Sequence, residues 1–431
     1  MQKDPAVCLP GPVHILCTVP PAMEALTYRG DELKKSLLLL ALVLAFLPGC
    51  HSPESWRSYG GDGSRCLCAH QPGPNRPRLI WAADLEGVNP GGPVVDSSSI
   101  YVPHSGGSVT KLSFDGAVEW RFDSWVSQRG DLPPHLLLLP GEKVLVSTQG
   151  AQEETFLLNS DGAITTGPAW LPWAAAMSPG ANSSGYIVVC HQFIGEANDV
   201  SLRVYGIQGG QTLWRWDYAE KGQSFYGSNP VVLEDGRAFV FIETEGENNV
   251  LLALDAAGSC RWQREFPAQE TRGVGQAIAA SQEGVVVFGT PRIEDISRVY
   301  SPGWLYAVGG EGEILWQVNA GQRVEQIFIA PGLVVANLLR TKLLAINMEG
   351  EELWQYPLAG WESNGVMDSR GRIYLAGVLN NSVWLRAVDS KGRDVWQLDT
   401  KQPAQSVSCL ALANGVIYLA TDNGKLLAIS D

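Results

Sequence analysis

The sequence is short of charge, of usable cysteine spacing and of long apolar runs. Charged residues make up 18% of its 431 positions, against about 25% in an average soluble domain, which excludes a coiled coil or a charge-rich disordered chain. Its eight cysteines contain no CxxC pair and no finger spacing, so neither a disulfide-stapled scaffold nor a zinc module is encoded. The apolar run 36–47 would span only roughly 18 Å as a helix, well short of the ~30 Å hydrocarbon layer, so a transmembrane helix is excluded there. Basic residues are outnumbered 31 to 45 by acidic ones, for a net charge of −14. A chain of that sign repels a phosphate backbone, and nucleic acid is not an expected partner. What remains is apolar and turn-rich: 45% hydrophobic residues, 47 Gly, 26 Pro and 15 Trp, enough for a sizeable core broken by many turns.

Residues 1–49 stand apart from the fold. Arg29, Lys34 and Lys35 precede the apolar run, which ends in Leu47-Pro48-Gly49-Cys50, the layout of an export signal. The segment resembles a bacterial lipoprotein signal, with Leu at −3 and Gly at −1; Pro48 departs from the small residue usual at −2. That resemblance implies that Cys50 is lipidated and becomes the mature N-terminus, with His51 after it pointing to outer-membrane sorting. Met23 is a second candidate start. Residues 50–77, rich in Pro and Gly and without helical or strand period, read as the lipidated Cys and a flexible linker. Cys66 and Cys68 within it are read as two separate thiols, since a disulfide across one residue is strained.

From Arg78 onward the chain repeats. Six segments place Gly four residues before Trp, ending at Trp120, Trp214, Trp262, Trp316, Trp354 and Trp396. A degenerate copy ends at Trp170, and Trp81 stands as an orphan end piece. Upstream of each copy lies a β-branched run behind a turn such as Asp235-Gly236 or Asn414-Gly415, a strong hairpin signal. The unit is therefore strand, turn, strand, loop, strand, turn, strand, which is a propeller blade. Residues 78–431 divide into eight such units of roughly 44 residues. The last stops at Leu426–Ile429 with no Gly-x3-Trp after it. Its missing outer strand is Arg78–Trp81, so the expected fold is an all-β, eight-bladed β-propeller over 78–431 closed by pairing the N- and C-terminal strands. The eight tryptophans at 81, 120, 170, 214, 262, 316, 354 and 396 are expected to pack between blades.

The copies Ala387-Val388-Asp389…Gly392…Trp396 and Ala253-Leu254-Asp255…Gly258…Trp262 resemble the pyrroloquinoline-quinone-type, or quinoprotein-like, repeat, over nearly all of 78–431. Quinone-dependent dehydrogenases of that class imply a calcium ion held by acidic and amide side chains and a quinone stacked on adjacent cysteines. No adjacent Cys pair and no recognisable calcium set exist in this sequence, so no cofactor is expected. The lipid-anchored propeller of outer-membrane β-barrel assembly is similar in size, in its N-terminal lipobox and in blade number. The resemblance implies a membrane-anchored, non-enzymatic scaffold in the bacterial envelope, with a protein or envelope partner and the outer membrane as its site. The alternative is a quinone- or metal-dependent oxidoreductase.

In a propeller, the loops joining blades and the loops between second and third strands share one face. Arg129, Trp173, Tyr226, Arg272, Arg323 and Trp361 fall on it and are the expected partner-binding residues, since Arg and aromatic side chains are enriched at interface hot spots. His104, His135 and His191 fall there too and could suit zinc or copper. No local motif supplies a carboxylate beside them, so they are read as solvated loop histidines, with no metal and no catalytic residue expected.

Overall fold

The computed structural model describes residues 55–431 other than 59, 87–88, 125–131, 149–154, 167–177, 195–199, 220–224, 272–276 and 291–302. Eight antiparallel sheets follow one another, seven of four strands and one of five. They cover residues 94–122, 135–166, 180–219, 225–267, 278–319, 324–357 and 362–403, and the eighth combines 411–430 with the first strand of the chain. Each sheet is a blade whose first strand lies nearest the axis. The second and third strands are almost fully buried, as in Ile373–Leu379 and Leu333–Leu338. The outer strands alternate or lie open, as in Cys260–Pro267. Among the described residues helix is nearly absent: one turn, Ala268–Thr271, follows the fourth blade.

The ring closes as the repeat requires. Strand Arg78–Asp84 pairs antiparallel with Lys425–Ser430, Trp81 opposite Ala428, so the last blade takes its outer strand from the opposite end of the chain and no open sheet edge is left at the join. Asp431 supplies the turn that the chain cannot make there: its Oδ1 accepts the amides of Asn75 and Arg76 at 2.6 and 2.7 Å. Asp389 does the same work within a continuous hairpin, accepting from Lys391 and Arg393 at 2.9 Å each.

The Gly-x3-Trp spacing joins neighbouring blades. Six of the described outer tryptophans reach the next blade's outer hairpin and donate the indole N–H to the carbonyl two residues before that hairpin's glycine. Trp81 bonds Phe114, Trp120 Ser160, Trp214 Ala256, Trp262 Gly310, Trp316 Met348 and Trp354 Ser390, all at 2.7–3.0 Å. The glycine is required twice over at Gly392. Its φ is +74°, and a Cβ there would sit 2.8 Å from the Trp354 ring, so both backbone freedom and absence of a side chain are used. A β-bulge immediately before each tryptophan re-aims it, and the residue opposite is usually alanine: Ala253, Ala307, Ala345, Ala387 and Ala428 face Trp262, Trp316, Trp354, Trp396 and Trp81. Trp396 has no following hairpin glycine and donates instead to Pro74 O at 3.2 Å. Trp170 lies outside the described residues.

The segment expected as a flexible linker is built into the ring from residue 55 on. It runs round the inside of the axial opening and bonds the last residue or two of successive inner strands. Trp56 pairs with Val95 of blade 1 and Ser58 bridges Leu137 of blade 2. Val232 of blade 4 donates to Gly63 O, Ala280 of blade 5 to Ser64 O, Ile329 of blade 6 to Cys66 O and Met367 of blade 7 to Leu67 O, at 2.7–3.0 Å. Trp56 and Leu67 are 2% and 5% exposed and join the core of blades 1, 6, 7 and 8. Inner strands of a closed ring leave their axial edges unpaired, and this strap satisfies them one blade at a time without needing a strand period of its own.

Candidate functional site

The strap divides the two ends of the ring. It lies at the end where first and second strands turn, beside Asp96, Leu233 and Ser281, because every inner-strand residue it bonds is the last before such a turn or within two residues of it. Arg65 points from it along the axis, 4% exposed, and donates to Ser178 O at 2.7 Å, Pro230 O at 3.0 Å and Pro179 O at 3.1 Å. These carbonyls precede the inner strands of blades 3 and 4, so the guanidinium ties the strap to both blades. Beyond it, at the opposite mouth, a cavity of about 280 Å³ is lined by residues that begin inner strands, among them Gly92, Pro134, His135, Asn364, Ser408 and Cys409. This mouth carries the loops between blades.

Three of the six expected contact residues are described, and all three lie at that mouth. Tyr226 sits at the start of blade 4, opposite Glu243, with 53% of its surface exposed. Arg323 immediately precedes the inner strand Val324–Ala330 and is exposed. Trp361 precedes Glu362–Met367 and is half-buried. Its ring has a structural occupant: the Arg386 guanidinium lies over it, 5.5 Å from the centroid, and 5.7 Å from that of Tyr356. Arg386 pairs with the fully buried Glu362 at 3.2 Å and bonds Tyr356 Oη at 2.8 Å. Tyr356 in turn donates to Asp394 Oδ1 at 2.6 Å, and burial, followed by that bond, pushes its hydroxyl up to about 12. Trp361 is therefore one wall of an ion pair within blade 7 that Tyr356 of blade 6 joins by a hydrogen bond, a role invisible from a loop position in the sequence. Arg129, Trp173 and Arg272 lie outside the described residues.

The expectation of solvated histidines fails at His104 and His135. His104 is 1% exposed and its Nε2 shares a 2.9 Å hydrogen bond with Thr110 Oγ1. Burial pushes its imidazole down to about 4, with the Arg121 charge acting in the same direction. Burial and then the Arg65 charge bring His135 down to about 4 as well. His104 is closed off within blade 1 beside Thr110 and His135 is half-buried against the cavity at the mouth, neither of which local sequence reports. His191 lies inside strand Ile187–Ile194, its backbone opposite Arg203, and is half-buried. Among the described residues no three His, Cys, Asp or Glu side chains gather around a point that could hold a metal ion.

A family model described as outer membrane protein assembly factor BamB matches residues 198–359 and 301–431. Among solved structures the chain is similar to BamB from Moraxella catarrhalis, at 14% identity and a TM-score of 0.55, over 83% of this chain and 98% of that one. It is also similar to the computationally designed Ika8 protein, at 13% identity and a TM-score of 0.57, over 82% of this chain and 100% of that one. At such identities both likenesses show the fold alone. No curated protein matches the sequence.

Proposed function

We propose that this chain, which belongs to the family of the outer membrane protein assembly factor BamB, is a non-enzymatic scaffold of the bacterial cell envelope. Lipidated Cys50 tethers it to the outer membrane, and the mouth that carries the interblade loops docks a protein partner of β-barrel assembly. The observation that carries this reading is the asymmetry of the ring. Its own strap engages the inner strands at one end, while the other end presents an exposed Tyr226 and the exposed Arg323. Arginines on a chain of net charge −14 suit an acidic patch on a partner, and aromatic and Arg side chains are the usual anchors of such contacts.

A photo-crosslinking residue at position 226 or 323 of the membrane-bound protein tests this. Both are expected to capture a barrel-assembly component, and the same probe at Leu353, on an outer strand, to capture none. Capture from position 353 alone moves the interface to the outer strands and overturns the reading. In the same cells Cys50→Ser is expected to shift the protein out of the membrane fraction and to abolish incorporation of labelled fatty acid.

A further inference from the structure

Where the strap passes blades 5 and 6 it leaves a cavity of about 450 Å³ on the hairpin end of the ring, away from the proposed docking mouth. Three residues that carry soft donors line it: Cys66 and Cys68 on the strap, and Met348 on the outer hairpin of blade 6. The thiols are held, not loosely tethered. Ile329 N–H bonds Cys66 O at 3.0 Å, Met367 N–H bonds Leu67 O at 2.7 Å and Ala69 N–H bonds Met367 O at 2.9 Å. Leu67 between them has φ +51°, a left-handed bend that a Leu adopts only when its surroundings impose it. Both residues face the same cavity across that bend, neither is bridged, and Cys66 together with burial pushes the Cys68 thiol up. Cys66 Sγ also donates to Cys68 O at 3.7 Å, and Cys68 Sγ to Ala69 O and Asp368 O at 3.6 Å.

A packing role needs no thiols, since Ala or Val would fill the same space. A tetrahedral zinc site needs four ligands, and no third His, Cys, Asp or Glu joins the pair among the described residues. His70 stands at the rim beside Asp62, 3.9 Å away. Thiolate and thioether donors select soft cations such as Cu(I) over hard ones, and a d¹⁰ monovalent ion is satisfied by two sulfurs.

We propose that Cys66 and Cys68 form a two-thiolate site for Cu(I), with Met348 on the wall of the same cavity. Binding breaks the two S–H bonds and forms two Cu–S bonds. Both protons pass to solvent, the copper enters and stays as Cu(I), and no oxidant or reductant is consumed.

The full chain, reduced and kept anaerobic, is titrated against the Cu(I)–bicinchoninate complex, whose colour reports the metal withdrawn. Wild type is expected to withdraw one Cu(I) per chain at this site. Cys66→Ser and Cys68→Ser are each expected to weaken that uptake by about 100-fold or more, and Met348→Leu by about 10-fold, in the range seen when groups around a metal are altered. Cys260→Ser, at an exposed thiol on an outer strand, is expected to change nothing. Cys66 is buried, so its variant is scored only if its melting curve stays cooperative. Cys68 is half-buried, and its variant decides the matter. Undiminished uptake by Cys68→Ser, or loss of uptake in Cys260→Ser, overturns the proposal.

Discussion

Trp316 is 7% exposed, donates to Met348 O at 2.9 Å and packs against Gly350 of the next blade, so its ring fills the seam between blades 5 and 6. Trp316→Ala is expected to cost about 3–5 kcal/mol, as for other buried aromatic truncations, read as a lower urea midpoint. Leu315, its neighbour, is 44% exposed, and Leu315→Ala is expected to stay within about 0.5 kcal/mol. Equal losses at the two positions would remove the distinction between seam and surface. His104 gives the pH dependence. Its imidazole titrates near 6.5 in the unfolded chain and at about 4 in the fold. Above 6.5 both states are neutral and stability is flat. Between 6.5 and 4 only the unfolded chain takes up the proton, so stability falls as pH drops, by on the order of 3 kcal/mol. Thermal melts of wild type and His104→Gln across that window are expected to converge toward pH 4, and parallel curves would refute it.

At the scale of elements, the strap and the outer hairpins do different jobs. The hairpins repeat one joint from blade to blade, whereas the strap bonds the inner strands of blades 1, 2, 4, 5, 6 and 7 in no regular register. Arg65 is its axial pin. Arg65→Met keeps the length but leaves the carbonyls of residues 178, 179 and 230 without their donor, at roughly 1–3 kcal/mol for a buried group left unsatisfied. The loss is expected to be local. Amide exchange should quicken at Val232, Ala280 and Ile329, whose N–H groups bond the strap, with little change on the outer strand Asp394–Pro403. Uniform acceleration over every blade would show that the strap is part of the global unfolding unit instead.

For the molecule as a whole, closure matters most. Deleting 425–431 removes the third strand of blade 8, the partner of Arg78–Asp84, and the Asp431 carboxylate that holds Asn75 and Arg76. Repeat arrays draw much of their stability from neighbour interfaces. The truncated chain is therefore expected to lose its sharp thermal transition and to bind a hydrophobic dye. An unchanged melting temperature would mean that seven blades and the strap suffice.

The sequence by itself determined the blade. Six Gly-x3-Trp copies, the turns before the buried strands and the orphan Trp81 specify an eight-unit ring and its closing pair, because each is a local constraint on hairpin and strand that repeats until it cannot be chance. Family membership and the loop face at Tyr226 and Arg323 follow from that topology. Tertiary structure alone decided the rest. Gly and Trp of one hairpin serve different seams, since the joint is made across about forty residues of chain. The strap has no period to read, because it bonds the inner strands of separate blades around a curve. His104 and His135 lost water to burial within the ring, and Tyr356 of blade 6 met Arg386 of blade 7 across an interblade seam. Burial and ion pairing of that kind depend on which surfaces meet, and a closed ring brings together surfaces that are far apart in the chain.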